Sequence, residues 1–352
     1  MQSVNKEMPV LVTGASGYIA SWLVKQLLED GFTVHGTVRN PGASEKVAHL
    51  EAMGKEHPGK LKLFKADLLE NGSFADAMAG CQIVMHTASP FIFGRIKDPQ
   101  KQLIDPALKG TENVLASVNQ TASVERVVLT SSVVAVYSDS ADIAESGKLK
   151  ADESMWNTKS SLKHQPYNYS KTLAEKKAWE MAKAQDRWDL LTINPGFVLG
   201  PSLSKRIDGV STSTILNMLN GQFKSGVPNQ TMGVVDVRDV AKAHLLAGTT
   251  SGASGRHLTV AESKTFLEMA NIIDQHTDGK YPIPKGVLPK FLMYLVGPAM
   301  GMSWKSTSRN YGYDLQFDNS YVKKDLGMNF RPFSDTLKDQ IEQLIQDGHV
   351  NN

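Results

Sequence analysis

The sequence predicts an α/β protein built on a doubly wound parallel sheet with a smaller C-terminal lobe. Three observations carry this prediction. Short runs that are apolar on both faces recur through the first two-thirds, among them Val10-Leu11-Val12, Ile83 to Met85 and Arg126 to Leu129, and such runs belong to parallel sheets covered on both sides. Segments of helical period separate them. The first run leads into a glycine-rich turn that opens a helix.

In chain order, Val10 to Val12 is the first strand, Thr13-Gly14-Ala15-Ser16-Gly17-Tyr18-Ile19-Ala20 the turn, and apolar Ile19, Leu23 and Leu27 one face of a helix ending at Gly31. Glycines at 14 and 17 let the backbone bend and approach a pyrophosphate, whose charge a helix N-terminus favours. Ala20 stands where many such turns have a third glycine. The second strand, Phe32 to Val38, ends in Arg39, and no acid occurs from Gly31 to Ser44. A carboxylate there bonds ribose hydroxyls in NAD-binding units, whereas Arg39, helped by Lys46, suits a 2′-phosphate, so NADPH is expected over NADH. A solvated surface arginine is the plainer alternative.

Leu61 to Phe64 and Ile83 to Met85 are the next strands, with a helix around Phe74 to Ala79 between them, and a long helical segment from about Pro99 to Val118 precedes Arg126 to Leu129. Asp67 either meets an adenine or caps a helix. His86-Thr87-Ala88-Ser89 and Thr130-Ser131-Ser132 close the fourth and fifth strands, at the carboxyl edge where ligands gather in open α/β sheets. His86 reads as a core histidine. A hydroxyl at the end of the fifth strand can bond a substrate carbonyl, or merely cap a turn.

Tyr167-Asn168-Tyr169-Ser170-Lys171 heads a helix reaching to about Ala184, and residues four apart share a helical face, so Tyr167 and Lys171 converge. Tyr169 points roughly 200° away from Tyr167. A second Tyr-x-x-x-Lys, Tyr281 to Lys285, contains Pro282 and Pro284, which forbid a regular helix. After Leu190 to Ile193, Asn194-Pro195-Gly196 breaks the pattern. Val234 to Val240 is read as a return to the sheet edge followed by a helix through Ala247, and Phe333 to Gln346 as a last helix. The expected division is 1–195 plus 233–262 for the cofactor domain and 196–232 plus 263–352 for a substrate lobe.

With 352 residues, 38 Lys and Arg against 36 Asp and Glu, and a formal charge of +2, no basic stripe suggests nucleic acid or an anionic membrane. Cys81 is the single cysteine, so no intrachain disulfide forms. Met1 to Pro9 lacks the apolar core of a signal peptide, and the apolar window Val287 to Trp304 is broken by prolines and glycines. The expectation is a cytoplasmic monomer or homodimer with a small-molecule carbonyl substrate, no metal and no membrane or nucleic-acid partner.

The phrases V-T-G-A-S-G-Y-I-A-S-W-L-V (Val12 to Val24), G-T-V-R (Gly36 to Arg39), K-A-D-L (Lys65 to Leu68), K-G-T-E-N-V-L (Lys109 to Leu115), Y-N-Y-S-K-T-L-A-E (Tyr167 to Glu175) and N-P-G-F-V-L-G-P (Asn194 to Pro201) resemble the extended short-chain dehydrogenase/reductase family. Within it they resemble the dihydroflavonol 4-reductase-like branch, which also holds cinnamoyl-CoA reductases and microbial aldehyde and methylglyoxal reductases. The resemblance implies a Rossmann fold and an NADPH-dependent reductase. It implies that Ser132 orients the substrate carbonyl, that Tyr167 donates the proton, and that Lys171 holds the nicotinamide ribose and lowers the phenol's pKa.

Beside Tyr167 and Lys171, the expected cofactor contacts are Thr13, Gly14, Ser16, Gly17, Tyr18 and Ile19 in the turn and Arg39 and Lys46 after the second strand. Asp67 and Leu68 follow the third strand, Thr87, Ala88 and Ser89 the fourth, and Pro195, Gly196 and Val198 the break after the sixth. Phe91, Phe93 and Phe197 are expected at the substrate, in an apolar wall with Ile92, Phe291, Met293, Tyr294 and Met302.

Val133 and Val134 stand where sugar-nucleotide dehydratases have acids, and the cinnamoyl-CoA reductase signature N-W-Y-C-Y is absent, which disfavours both substrates. A sugar-nucleotide epimerase shares the same Ser, Tyr and Lys and is the rival enzyme. An NADP-sensing binding protein is the rival of another class.

Overall fold

The computed structural model describes residues 4–89, 96–204, 207, 209–300 and 302–350. Strand β1 (Val10–Val12) passes through the glycine turn into α1 (Tyr18–Glu29), then β2 (Val34–Val38), α2 (Ser44–Glu56), β3 (Leu61–Lys65), the short α3 (Ala75–Met78) and β4 (Ile83–His86). A π-helical turn, Gln100–Ile104, runs into α4 (Asp105–Gln120), followed by β5 (Arg126–Thr130), α5 (Ser140–Glu145), α6 (Pro166–Lys183) and β6 (Asp189–Pro195). Next come β7 (Phe197–Leu199), α7 (Val210–Leu219), β8 (Thr231–Asp236), α8 (Val237–Thr249), β9 (Gly255–Thr259) and β10 (Glu262–Thr265). The chain ends in α9 (Phe266–His276), α10 (Lys290–Val296), α11 (Trp304–Asn310), α12 (Ser320–Leu326) and α13 (Phe333–Gln346).

The main sheet has seven strands in the order β3-β2-β1-β4-β5-β6-β9, and every pairing in it is parallel. Alternation along the strands feeds two cores. Val10, Val12, Ile83, Met85, Leu191 and Ile193 point to one side, with Leu23 and Leu27 of α1 and Val240 and Ala241 of α8. Leu11, Val84, Val127, Leu129 and Leu190 point to the other, with Val114 and Val118 of α4 and Ala178 of α6. Each such side chain, removed from water, stabilises the fold by about 1.5–3 kcal/mol. The strand order reverses between β1 and β4, so a crevice opens at their carboxyl ends, where open α/β sheets bind ligands.

Arg126, read from the sequence as part of an apolar run, is buried at the amino end of β5. Its guanidinium forks onto Asp189, with contacts of 2.8 and 2.7 Å, and donates to the carbonyls of Ala247 and Thr250 at the end of α8. It thereby neutralises the exposed carbonyl end of that helix.

The remaining strands form a separate three-stranded sheet, β10-β8-β7. The expectation that Val234 to Val240 returns to the main sheet edge is therefore corrected for its strand portion: Val234 and Val235 pair with Phe197 and Val198 in the small sheet, and β9 takes the main edge. The helix that follows does pack on the main sheet, against α1. The two sheets meet at a point of close backbone approach, where a Cβ on Gly196 would lie 2.3 Å from the Gly233 carbonyl oxygen. Glycine at 196 is what lets β6 of one sheet hand over to β7 of the other.

Replacing Gly196 by Ala forces backbone apart and is expected to destabilise the protein by about 1–3 kcal/mol or more, read as a lower denaturant midpoint at unchanged slope. An unchanged midpoint would contradict the close approach.

Candidate active site

The glycine turn sits at the mouth of the crevice. Gly14 has φ +66° and a Cβ there would lie 3.1 Å from the Ala88 Cβ, so the turn after β1 and the segment after β4 meet with no room for a side chain. Thr13, fully buried, holds the two segments together. Its hydroxyl accepts from the Ala88 amide at 3.0 Å and lies 3.0 Å from His86 Nδ1, while the Thr87 hydroxyl donates to the Thr13 carbonyl. Burial, aided by the Lys171 charge, pushes His86 down to about 3, so it is neutral and serves as this hydroxyl's partner. The reading of His86 as a core histidine agrees with this placement.

Helix α1 starts at Gly17 with no side-chain cap, so its first-turn amides are available to an anion. Ser16 is half-buried in the turn, and Ile19 is half-buried on α1 against the core. The Tyr18 hydroxyl donates to the Gly200 carbonyl at 2.6 Å, tying the turn to the end of β7. Burial, then the Asp236 charge, raises that phenol.

Arg39 is exposed directly after β2, and Lys46 is exposed on the first turn of α2; among the described residues neither has an ion-pair partner. Asp67 Oδ1 accepts from the Leu69 amide at 2.8 Å, a turn cap in the loop after β3. Leu68 packs over Gly110 of α4.

The opposite wall is α6. Its N1 residue is Pro166, which follows Gln165 in the left-handed region at φ 52°. Small Ala174 and buried Ala178 let the helix lie against the sheet, and α6 packs on the turn Val133–Ala135 that Ser132 opens. Tyr167 keeps 39% of its surface open. Lys171 Nζ reaches the Ser89 hydroxyl at 3.0 Å, bridging α6 to the segment after β4. Ser132 is half-buried with extended backbone, its hydroxyl accepting from the Val134 amide at 3.4 Å.

Electrostatically, burial lowers the Lys171 ammonium to about 8, against an upward pull from Glu175. The protein crowding Tyr167 pushes its phenol up to about 12.

Sequence reasoning gave no role to Glu175, Asn194 or Arg256, which lie beneath the site. Glu175 is fully buried and accepts from Arg256 Nε at 2.6 Å, from Asn194 Nδ2 at 2.8 Å and from the Ser131 hydroxyl. Asn194 Nδ2 also donates to the Ser132 carbonyl at 3.1 Å. The available signal was a carboxylate on the sheet-facing side of α6, beside Ala174 and Ala178, where only a paired charge is tolerated.

Phe91, Ile92 and Phe93 lie outside the described residues. Met293 is fully buried while Phe291 on the same helix is 65% exposed, and Phe197 is half-buried against the core of the smaller lobe. Pro195 ends β6, and Val198 pairs with Val235. The second Tyr-x-x-x-Lys forms no helix: Tyr281 is buried in the lobe and Lys285 pairs with Asp274. Cys81 is buried, its thiol pushed up to about 12. Among the described residues no cluster suits a metal ion, and no helix is long and apolar enough to cross a membrane.

A profile of the NAD dependent epimerase/dehydratase family matches residues 10–261. The chain is 39% identical to cinnamoyl-CoA reductase CAD2 of Medicago truncatula over the full length of both. It is 35% identical to an anthocyanidin reductase of Vitis vinifera, covering 88% of this chain and 93% of that one. Among solved structures, yeast methylglyoxal/isovaleraldehyde reductase Gre2 complexed with NADPH superposes with a TM-score of 0.75 at 30% identity, covering 97% of this chain and all of that one.

Thr13→Val should strip the Ala88 amide and His86 of their shared partner and cost about 1–3 kcal/mol, measured as a lower unfolding midpoint. Wild-type stability would show that the hydroxyl does not hold the two segments.

Proposed function

Because this chain belongs to the NAD dependent epimerase/dehydratase family, we propose that it is an NADPH-dependent reductase converting the carbonyl of an apolar or aromatic aldehyde or ketone to an alcohol. The observation that carries the reading is the meeting of three parts at one sheet edge. An uncapped helix N-terminus behind Gly14, the Ser132 hydroxyl after β5, and the Tyr167–Lys171 face of α6 all border the crevice. Their residue types fit a phosphorylated dinucleotide. Gly14 leaves the backbone open to a pyrophosphate, and Arg39, without a partner among the described residues and with no acid on the flanking loop, matches a 2′-phosphate. The named reductases among the relatives support the same reaction class.

When bound, the cofactor supplies a hydride to the carbonyl carbon. The chain's own groups do the rest. Ser132 Oγ donates a hydrogen bond to the carbonyl oxygen and orients it. Tyr167 Oη gives its proton to that oxygen as negative charge develops there. Lys171, held toward the cleft by Ser89, binds the ribose hydroxyls and stabilises the phenolate left behind, and solvent returns the proton.

The stretch before Lys171 reads Pro166-Tyr167-Asn168-Tyr169-Ser170, not N-W-Y-C-Y. The proposal is accordingly a free aldehyde or ketone and not a CoA thioester. A cytoplasmic monomer or homodimer completes the reading.

The test is loss of reduced-nicotinamide absorbance with a panel of aldehydes, ketones and dihydroflavonols. Steady consumption with at least one is expected; none, together with tight UDP-sugar binding, would favour the epimerase. Tyr167→Phe should retain NADPH binding and lose about 100-fold or more in turnover, with Tyr169→Phe mild; equal losses would contradict the assignment. Arg39→Ala should weaken NADPH about 10- to 100-fold and leave NADH unchanged. Turnover should decline as pH rises through about 8, where Lys171 loses its proton, and a rate level through that region would remove the ammonium from the mechanism.

A further inference from the structure

The catalytic face of α6 does not rest on apolar packing alone. One turn below Lys171, Glu175 buries its carboxylate completely, yet its two oxygens take donors from three strands. Oε1 accepts from Arg256 Nε of β9 at 2.6 Å and from Thr192 Oγ1 of β6 at 3.4 Å. Oε2 accepts from Asn194 Nδ2 of β6 and from Ser131 at the end of β5. Arg256 is itself locked, donating to the carbonyls of Glu153 and Met155 and lying 3.8 Å over the Trp156 ring.

Two features connect this knot to the chemistry. The Asn194 amide donates to both the Glu175 carboxylate and the Ser132 carbonyl, so Ser132 is joined to Glu175 through one intervening side chain. A cavity of about 20 Å³ lies between α4, α6 and the ends of β4 and β5, and among the described residues Lys171 and Glu175 are the only charged side chains that line it. It has room for about one water. A simple scaffold for α6 would not need a carboxylate facing the same cavity as the ammonium.

We propose that Glu175 is a positioning residue of the reductase site: its carboxylate holds the Lys171 ammonium from below and, through Ser131 and Asn194, fixes the strand ends that carry Ser132. The inference rests on the reductase reading. Among the described residues, the polar groups outside α4 that share the cavity with Lys171 are Glu175 on α6, neutral His86 and Ser89 from β4 and its following segment, and Thr130 and Ser131 at the end of β5. The α4 residues lining the cavity, Ala107, Gly110 and Thr111, bring no charge, and Arg256 stands behind the carboxylate. Among the described residues Glu175 is thus the one anion that favours the charged form of Lys171, and its loss moves the lysine's titration to lower pH.

The experiment follows Lys171 by NMR of ¹³Cε-labelled lysine in the protein without added ligands, with Lys171→Arg assigning the resonance. It compares wild type, Glu175→Gln and the double variant Glu175→Gln/Arg256→Met. The double variant guards against misfolding, since exchanging a buried ion pair for uncharged packing leaves no orphaned charge.

In both variants the Lys171 midpoint should move to lower pH. With NADPH and a carbonyl that the wild type accepts, kcat should fall about 10- to 100-fold with little change in KM. A double variant that melts at the wild-type temperature, with the Lys171 midpoint and kcat unmoved, would make Glu175 purely structural and overturn the proposal. A wild type that consumes no NADPH with any carbonyl would defeat the reductase reading instead, and the Lys171 midpoint would still decide the role of Glu175.

Discussion

The buried contact between Glu175 and Arg256 is the constraint on which the site's shape depends. A carboxylate wholly removed from water is tolerated only when its charge and lone pairs are met, and meeting them draws α6, β5, β6 and β9 to one point. Once α6 is seated there, its upper turns have no freedom. Lys171 reaches across from α6 to Ser89, just after the carboxyl end of β4. The opposite wall follows from a separate constraint, the absence of a side chain at Gly14, which lets the first strand's turn press against Ala88.

The charges of the site are set by loss of water as much as by pairing. Burial keeps His86 neutral, brings Lys171 down to about 8 and raises the Tyr167 phenol. A phenol of raised pKa is a weaker acid, so it holds its proton until a nearby cation lowers its pKa or an oxygen of growing negative charge takes the proton.

The parts legible in the sequence were those governed by local pattern. Apolar runs marked six of the seven strands of the main sheet: β1 and β4 are buried along their whole length, while β3 at the sheet edge leaves Lys62 and Lys65 exposed. The glycine turn and the Tyr167–Lys171 spacing announced themselves through backbone and helix geometry. The seventh strand, Gly255–Thr259, did not, because it carries a buried Arg256 and His257 whose partners, Glu175 and Asp325, come from distant parts of the chain. The same long-range pairing hid the role of Glu175. Val234 and Val235 look like any core strand, and nothing local tells which of two sheets they join. That choice is made by the close approach of Gly196 to Gly233. Composition likewise cannot separate a fully buried Met293 from an exposed Phe291 two residues away.

The central claim is that hydride passes from the cofactor to a carbonyl carbon and stays there. The most direct measurement is turnover with NADPH deuterated at the nicotinamide C4, followed by mass spectrometry of the product from a carbonyl that the enzyme consumes. One deuterium on the carbinol carbon for each cofactor oxidised is the predicted result. Absence of deuterium from any alcohol, with inversion of a UDP-sugar and no net cofactor consumption, would contradict it.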